Sequence, residues 1–322
     1  MLAATFVGLA MAVWAIRSTG IDNILAVGQR LGFIGFLVYC AYSLGVFVLL
    51  GAGWLVAAGE PFGRLGLFTR ARLLREAAAD LLPFSQIGGI ALSMLLLVSN
   101  RLTQARAYSS FIIDLLGEMA SQVAFTAFGL GLLLAIPIEG KAHDQGQAVI
   151  ATGLCIFVAL TVLVLLTNRS GFSLVQKLAR RFMPSSAQSF SEIGAELRRA
   201  AMPGRMGLVF VLNLIAWIAS ALGAWIALRM MGIEFPLWKI LSLESAIFAL
   251  RSVAFAIPAG IGVQEAGYAL LSPLIGLPAE AALALALAKR ARDIVIALPT
   301  LILWSLAETR SLVSPQRKSD AA

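Results

Sequence analysis

Four ionisable residues stand together inside an apolar segment near the end of the chain. Lys289, Arg290, Arg292 and Asp293 interrupt the stretch LALAKRARDIVIALP, residues 285–299. If residues 280–308 form one helix about 43 Å long at 1.5 Å per residue, the cluster lies about a third of the way along it, at hydrocarbon depth. Each charge there costs about 2.5 to 3.5 kcal/mol, so four unpaired charges would cost on the order of 10 kcal/mol. We therefore expect these side chains to face protein rather than lipid.

Counter-charges for this cluster occur at several places in the sequence. Asp293 follows Lys289 and Arg290 by four and three residues, so it can neutralise one of them on the same helical face and leave a net positive charge. Other candidates are Asp114 and Glu118 one turn apart, Glu265 and Glu244; Arg251 and Gln264 would add donors. A cavity lined by guanidinium groups suits an anionic or zwitterionic headgroup. Two alternatives stay open: a buried ion-pair network that only holds helices together, and a cytoplasmic loop at 289–293, which would leave a following span that is too short.

The composition indicates which class of protein must position this cluster. Hydrophobic residues make up 60% of the 322 residues and charged residues 13%, against about 25% charged in soluble domains. Repeated long apolar runs predict an all-α polytopic membrane protein, because backbone groups in hydrocarbon must be paired within helices. The net charge of +8 lies mainly in loops, so nucleic acid is not expected as a partner. Cys40 and Cys155 lie in apolar runs, and no metal or other cofactor is predicted.

The distribution of Lys and Arg between the apolar runs predicts the topology. Residues 168–206 carry seven basic residues, whereas 137–147 carry only Lys141, so the first segment is expected in the cytoplasm and the second outside. Basic residues in 58–76, among them Arg72 and Arg75, and in 100–107 place both ends of run 81–99 in the cytoplasm. The C-terminus is also predicted to be cytoplasmic, which leaves both ends of run 240–276 outside. About six spanning helices and two re-entrant hairpins result.

The two re-entrant segments share a pattern. LLPFSQIGG from Leu81 and AIPAGIGVQEAG from Ala256 both place Ile and Gly after Pro, and an aspartate follows Pro83 and Pro258 by 31 and 35 residues. The residues predicted at the re-entrant tips are Pro83, Gly88, Gly89, Pro258, Gly260 and Gly262. Since the hairpins enter from opposite sides, the halves 31–136 and 207–308 would form an inverted repeat, as in many secondary transporters. They would belong to a single transmembrane domain, 1–308, with an amphipathic cytoplasmic linker at 168–206 and a short tail at 309–322.

At AIPAGIGVQEAGYALL, LAKRARDIVIALP and LPFSQIGG, the sequence resembles the lysylphosphatidylglycerol synthase transmembrane region family of flippase-like membrane proteins. The sequence around Gly262–Tyr268 and Lys289–Pro299 is most similar to the branch associated with hopanoid biosynthesis. The resemblance implies lipid translocation at the bacterial inner membrane, with a hopanoid or an aminoacylated phospholipid as cargo. It also implies membrane lipids as partners, together with lipid biosynthesis or export proteins. Residues beyond Ala307 are too few for the soluble transferase domain of the family's synthases.

The sequence is compatible with three functions. A lipid flippase would place Arg290 and Arg292 at the headgroup, and Asp114, Glu118, Glu265 and Asp293 would be the carboxylates available for proton coupling. It would not use ATP directly, because G-x-x-x-x-G-K-[ST] is missing from the sequence. An intramembrane lipid-modifying enzyme is less favoured, since the only histidine, His143, lies beside Asp144 in a short loop. A noncatalytic scaffold for lipid biosynthesis is the third. We expect no enzymatic activity.

Overall fold

The computed structural model describes residues 2–81, 85–134, 195–197, 202–253 and 261–313, and these form helices with short connections and no strand. In chain order the helices are α1 (Leu2–Thr19), α2 (Ile21–Arg30), α3 (Gly32–Ala58), α4 (Leu65–Leu81), α5 (Ser85–Ser99), α6 (Gln104–Leu134), α7 (Pro203–Met230), α8 (Leu237–Val253), α9 (Val263–Leu271) and α10 (Ala279–Val313). Short 3-10 turns precede α4 at Phe62–Arg64 and follow α9 at Pro273–Ile275.

Several of these helices are long and apolar enough to cross a bilayer. Gly32–Ala58, Gln104–Leu132 and Gly204–Met230 meet both conditions, at 27, 29 and 27 residues. α10 is longer still, at 35 residues, and is continuous through the charge cluster. The chain is therefore an all-α multi-pass membrane protein, as the composition predicted. Run 147–167, counted among the expected spans, lies outside the described residues, as do His143 and Cys155.

The two halves share one order of elements. In the first, α3 is followed by the pair α4 and α5 and then by α6; in the second, α7 is followed by α8 and α9 and then by α10. α4 ends at Leu81 and α5 begins at Ser85, while α8 ends at Val253 and α9 begins at Val263. Pro83, Pro258 and Gly260 lie outside the described residues. α10 continues to Val313 and so includes the first residues of the predicted tail, while most of the predicted linker is outside the described residues.

The first helices of the two halves, α3 and α7, pack against each other in opposite directions. The Tyr42 hydroxyl donates to the carbonyl oxygen of Ala219 at 2.8 Å, midway along both helices. Gly35, near the start of α3, lies close to Met230 at the end of α7, and Gly59, just after α3, lies close to Arg205 at the start of α7. Two halves of inverted topology require this antiparallel relation.

The first arm of each hairpin also packs against the last helix of the other half. α4, the first arm of one hairpin, packs against α10, and α8, the first arm of the other, packs against α6. The first arms therefore lie between the two halves, where their polar residues face a common space.

Apolar packing is concentrated at the two ends of this bundle. One cluster surrounds Trp54, whose ring centroid is 6.2 Å from that of Phe68 and 6.1 Å from that of Phe111. The other joins the end of α7 to the starts of α8 and α10, with Leu228 and Ile240 fully buried. A third, smaller cluster of Phe125, Ala221 and Phe248 lies where α6, α7 and α8 meet.

The structure corrects two expectations about the first hairpin. Arg72 and Arg75 were assigned to a cytoplasmic connection, but both are buried on α4. Gly88 and Gly89 were predicted at the unwound tip, but they lie in the first turns of α5. Gly89 serves close helix packing instead, because a Cβ atom there would lie 2.3 Å from the carbonyl oxygen of Arg75.

Candidate functional site

A cavity of about 530 Å³ lies between the halves. The four long helices contribute to its lining through residues 42–50 of α3, 118–122 of α6, 216–223 of α7 and 292–293 of α10. Each group is near the middle of its helix. Because a spanning helix is centred near the middle of the bilayer, the cavity lies near mid-depth in the hydrocarbon.

The lining of this cavity carries charges of both signs. The arginines are Arg72, Arg251 and Arg292, and the carboxylates are Glu76, Asp80, Glu118 and Asp293. Four of these seven residues, Glu118, Arg251, Arg292 and Asp293, were site candidates from the sequence. Among the described residues, the cavity has three cationic and four anionic side chains, so this lining is nearly balanced in formal charge and not net positive as expected.

Lys289 from the charge cluster pairs with Glu244 on α8. The Lys289 Nζ atom lies 2.5 Å from Glu244 Oε2 and also donates to the Tyr268 hydroxyl at 2.9 Å. Tyr268 in turn donates to the other Glu244 oxygen. Glu244 and Tyr268 are 0% exposed and Lys289 is 3% exposed, so this triad joins α8, α9 and α10 without water.

Arg290 pairs with Glu265 on α9. Its Nε atom donates to Glu265 Oε1 at 3.0 Å, while Glu265 Oε2 accepts the backbone N–H of Gly262 at 2.8 Å. Gly262 has φ of +81°, a left-handed conformation that favours glycine and that turns the chain into α9. Gln264, in the first turn of α9, accepts a hydrogen bond from Arg251 Nη1 at 3.3 Å. The sequence-predicted donors and counter-charges of the second half are thus brought together.

Arg292 is the member of the cluster that reaches the other half. It contacts its neighbour Asp293 at 2.6 Å, donates to the Tyr39 hydroxyl of α3 at 3.0 Å, and lies 5.2 Å from the Tyr39 ring centroid. The expectation that Asp293 would neutralise Lys289 or Arg290 is wrong, because those two cations have carboxylates from α8 and α9 as partners.

A second network occupies the first half. Arg72 Nη1 lies 3.1 Å from Asp114 Oδ2, and Arg72 also pairs with Glu118; Arg75 Nη2 lies 2.7 Å from Glu118 Oε2. Asn213 of α7 adds a long hydrogen bond to Asp114 at 3.4 Å. Asp114 and Glu118 were expected to neutralise the 289–293 cluster. They pair with α4 instead, because α4 is a buried helix and not a loop.

Sequence reasoning missed the charged face of α4. Arg72, Glu76 and Asp80 follow one another at intervals of four residues, which places them on one side of a helix. All three line the cavity. This spacing was the signal that could have identified α4 as a helix with an inward-facing polar side.

Some buried donors at the site have no acceptor among the described residues. They include Trp217 Nε1 and Arg72 Nε, both from residues of the cavity lining, and Gln264 Nε2 beside Arg251. Within the same described ranges, no group of three or more His, Cys, Asp or Glu side chains is arranged to hold a metal ion. The arrangement can accommodate a polar group that carries both donors and acceptors.

A family model described as Lysylphosphatidylglycerol synthase TM region matches residues 1–300. The chain belongs to this family. Membership agrees with the resemblance found in the sequence motifs and associates the chain with membrane lipids. No curated protein and no solved structure matches the chain.

Proposed function

We propose that this family member moves a polar-headgroup lipid across the bilayer, and that it does so without being an enzyme. The observation that carries the proposal is the mixed-charge cavity at mid-depth between two inverted halves. A charged headgroup in bare hydrocarbon is strongly unfavourable, and side chains of both signs lower its free energy there. The acyl chains of the lipid would stay in the bilayer while the headgroup passes through the cavity.

The halves are joined across the cavity by few polar contacts. Arg292 bonds to Tyr39, Asp114 accepts from Asn213, and Gln122 of α6 donates to Ser252 of α8. Apolar clusters close the bundle beyond these contacts at each end. Rocking of one half against the other would break the contacts at one end while keeping those at the other, which gives alternating access.

The family resemblance supports the proposed location, cargo and partners. The location is the bacterial inner membrane, with the C-terminus in the cytoplasm, and the cargo classes are a hopanoid or an aminoacylated phospholipid. Lipid biosynthesis or export proteins are proposed partners beside the lipids themselves. A proton gradient or removal of the product would supply the energy.

Reconstitution tests the proposal directly. Purified protein in liposomes is expected to accelerate transbilayer movement of at least one fluorescently labelled lipid, measured by the fraction that an impermeant reductant quenches. Ser220→Phe should abolish the acceleration by filling the cavity, whereas Ser99→Phe, on an exposed face at the end of α5, should not. Unchanged movement of every labelled lipid by the wild-type protein would count against transport.

Lipid analysis separates the alternatives. In cells lacking the protein, a modified lipid that is missing altogether supports an enzyme, while a lipid that is made but retained in one leaflet supports transport. A scaffold predicts that folded Arg290→Ala, Arg292→Ala and Asp293→Asn variants keep full function; the transport proposal predicts that they lose it.

A further inference from the structure

Most charges of the cavity lining are paired with one another, Arg72 with Glu76 and Glu118 and Arg292 with Asp293. Two parts of the lining nevertheless differ in chemistry. Glu76 and Asp80 of α4 and Asp293 of α10 form one wall, and the same three residues also line a small adjoining space between these helices. Hydrogen-bond donors form the other wall, where α6, α7 and α8 meet. They are Gln122, Trp217, Arg251 and Ser252.

Contacts among the donor residues place them next to one another. Gln122 donates to Ser252, which follows Arg251 directly. The Trp217 ring lies 4.6 Å, between centroids, from that of Phe248, one turn before Ser252 on α8. The donor wall is thus one continuous surface.

Each wall has a charge that no other described residue neutralises in a direct ion pair. Among the described residues, Asp80 has no Lys or Arg partner within ion-pair distance, although Arg251 and Arg290 lie within electrostatic range of it. The hydrogen-bond partner of Arg251 within the same part of the chain is the neutral oxygen of Gln264. Trp217 Nε1 has no acceptor there. A ligand could therefore supply an anion to one wall and a cation to the other.

We propose that the cavity selects a compact zwitterionic headgroup of the phosphoethanolamine type, with its phosphate on the donor wall and its primary ammonium on the acidic wall. This inference rests on the proposed function in taking the cavity as the lipid pathway, and it replaces the cargo classes suggested by the family resemblance with one argued from the charges of the cavity. Arg251 and Trp217 are the phosphate donors, because guanidinium and other N–H groups bind phosphate oxygens well. The Ser252 hydroxyl already donates to the carbonyl oxygen of Phe248. Asp80 is the main acceptor for the ammonium.

The charge balance and the nature of the acidic wall decide between headgroup classes. An anionic headgroup would add net charge to a cavity that is already nearly balanced, which is unfavourable at this depth. A quaternary ammonium has no N–H to donate to carboxylates and is best held by a cage of aromatic rings. Phe47 is the aromatic residue beside the acidic wall among those described, so a primary ammonium fits better.

Competitive binding to the wild-type protein tests the inference without requiring transport. Equal amounts of phosphatidylethanolamine, phosphatidylcholine and phosphatidylglycerol with the same acyl chains would be added to delipidated protein, and bound lipids counted by native mass spectrometry. One charge-assisted hydrogen bond to a buried group corresponds to a preference of roughly tenfold or more, and we expect that preference for phosphatidylethanolamine over both competitors. Equal binding of the three lipids, or stronger binding of either competitor, would overturn the inference.

Two variants test which wall binds the ammonium and which binds the phosphate. Asp80→Asn should abolish the preference for phosphatidylethanolamine over phosphatidylcholine, because it removes the charge that binds the ammonium. Arg251→Gln should weaken binding of all three phospholipids by a similar factor. Asp22→Asn, at an exposed carboxylate of α2, is the control and should bind like the wild type. A folded Asp80→Asn variant that keeps the full preference would overturn the assignment.

The outcomes separate this inference from the proposed function. Lipid movement in liposomes with no headgroup preference in binding would leave translocation standing and refute the selection described here. Selective binding of phosphatidylethanolamine without accelerated movement of any lipid would refute translocation and support the recognition site.

Discussion

Removing one member of the Glu244–Lys289 pair should destabilise the protein far more than removing both. The two side chains are 0% and 4% exposed and 2.5 Å apart, so Glu244→Gln leaves a buried ammonium without a counter-ion. Loss of one partner of a buried pair costs about 3 to 5 kcal/mol, and we expect this decrease in the free energy of unfolding for Glu244→Gln and for Lys289→Met. The double variant should lie within about 2 kcal/mol of the wild type, because no charge is left unpaired.

Equilibrium unfolding in SDS measures these free energies, and a double-mutant cycle gives the coupling between the two residues. The exposed pair Arg229–Glu234, at 3.2 Å with side chains 50% and 87% exposed, provides the matched control. Glu234→Gln should change the free energy of unfolding by about 1 kcal/mol or less. If the two single losses at Glu244 and Lys289 simply add in the double variant, the two residues are not coupled and the description of this triad is wrong.

Two further predictions use the same unfolding assay. Gly89→Ala should destabilise the hairpin by about 1 to 3 kcal/mol, because its Cβ would collide with the Arg75 carbonyl. Gly88→Ala should be near neutral, because no atom lies within 4 Å of the added Cβ. Equal effects at the two glycines would contradict the packing of α4 on α5. Tyr39→Phe should lower the free energy of unfolding by about 1.5 to 3 kcal/mol, because it removes the hydrogen-bond acceptor of Arg292 while keeping the ring. Tyr39→Leu should lower it further. A Phe variant as stable as the wild type would show that the hydrogen bond between the halves contributes nothing.

The sequence was sufficient to predict that the 289–293 cluster lies within a helix, and its four further candidate counter-charges included the two actual partners, Glu244 and Glu265. Desolvation made that prediction possible, since four charges at hydrocarbon depth require partners and few acidic residues lie in the neighbouring apolar runs. Gly262 was also predicted at a tip, and it lies at the turn that leads into α9.

The partners of Asp114 and Glu118 could not be obtained in the same way. Counting basic residues by segment treated Arg72 and Arg75 as loop residues, and that count does not distinguish a loop from a helix with one polar face. The four-residue spacing of Arg72, Glu76 and Asp80 carried this information. The contact between Arg292 and Tyr39 joins residues 253 positions apart, so it depends on how the two halves pack and not on any local pattern.

The packing of each hairpin's first arm against the other half affects how the protein is assembled during synthesis. Arg72 and Asp114 are separated by 42 positions, and Glu244 and Lys289 by 45, so the members of each pair leave the ribosome at different times. Until its partner helix has emerged, the first arm of each hairpin presents an ionised side chain that the bilayer interior rejects. Since α4 packs on α10 and Glu244 of α8 pairs with Lys289 of α10, the final packing of both hairpins has to await the last helix of the nascent chain.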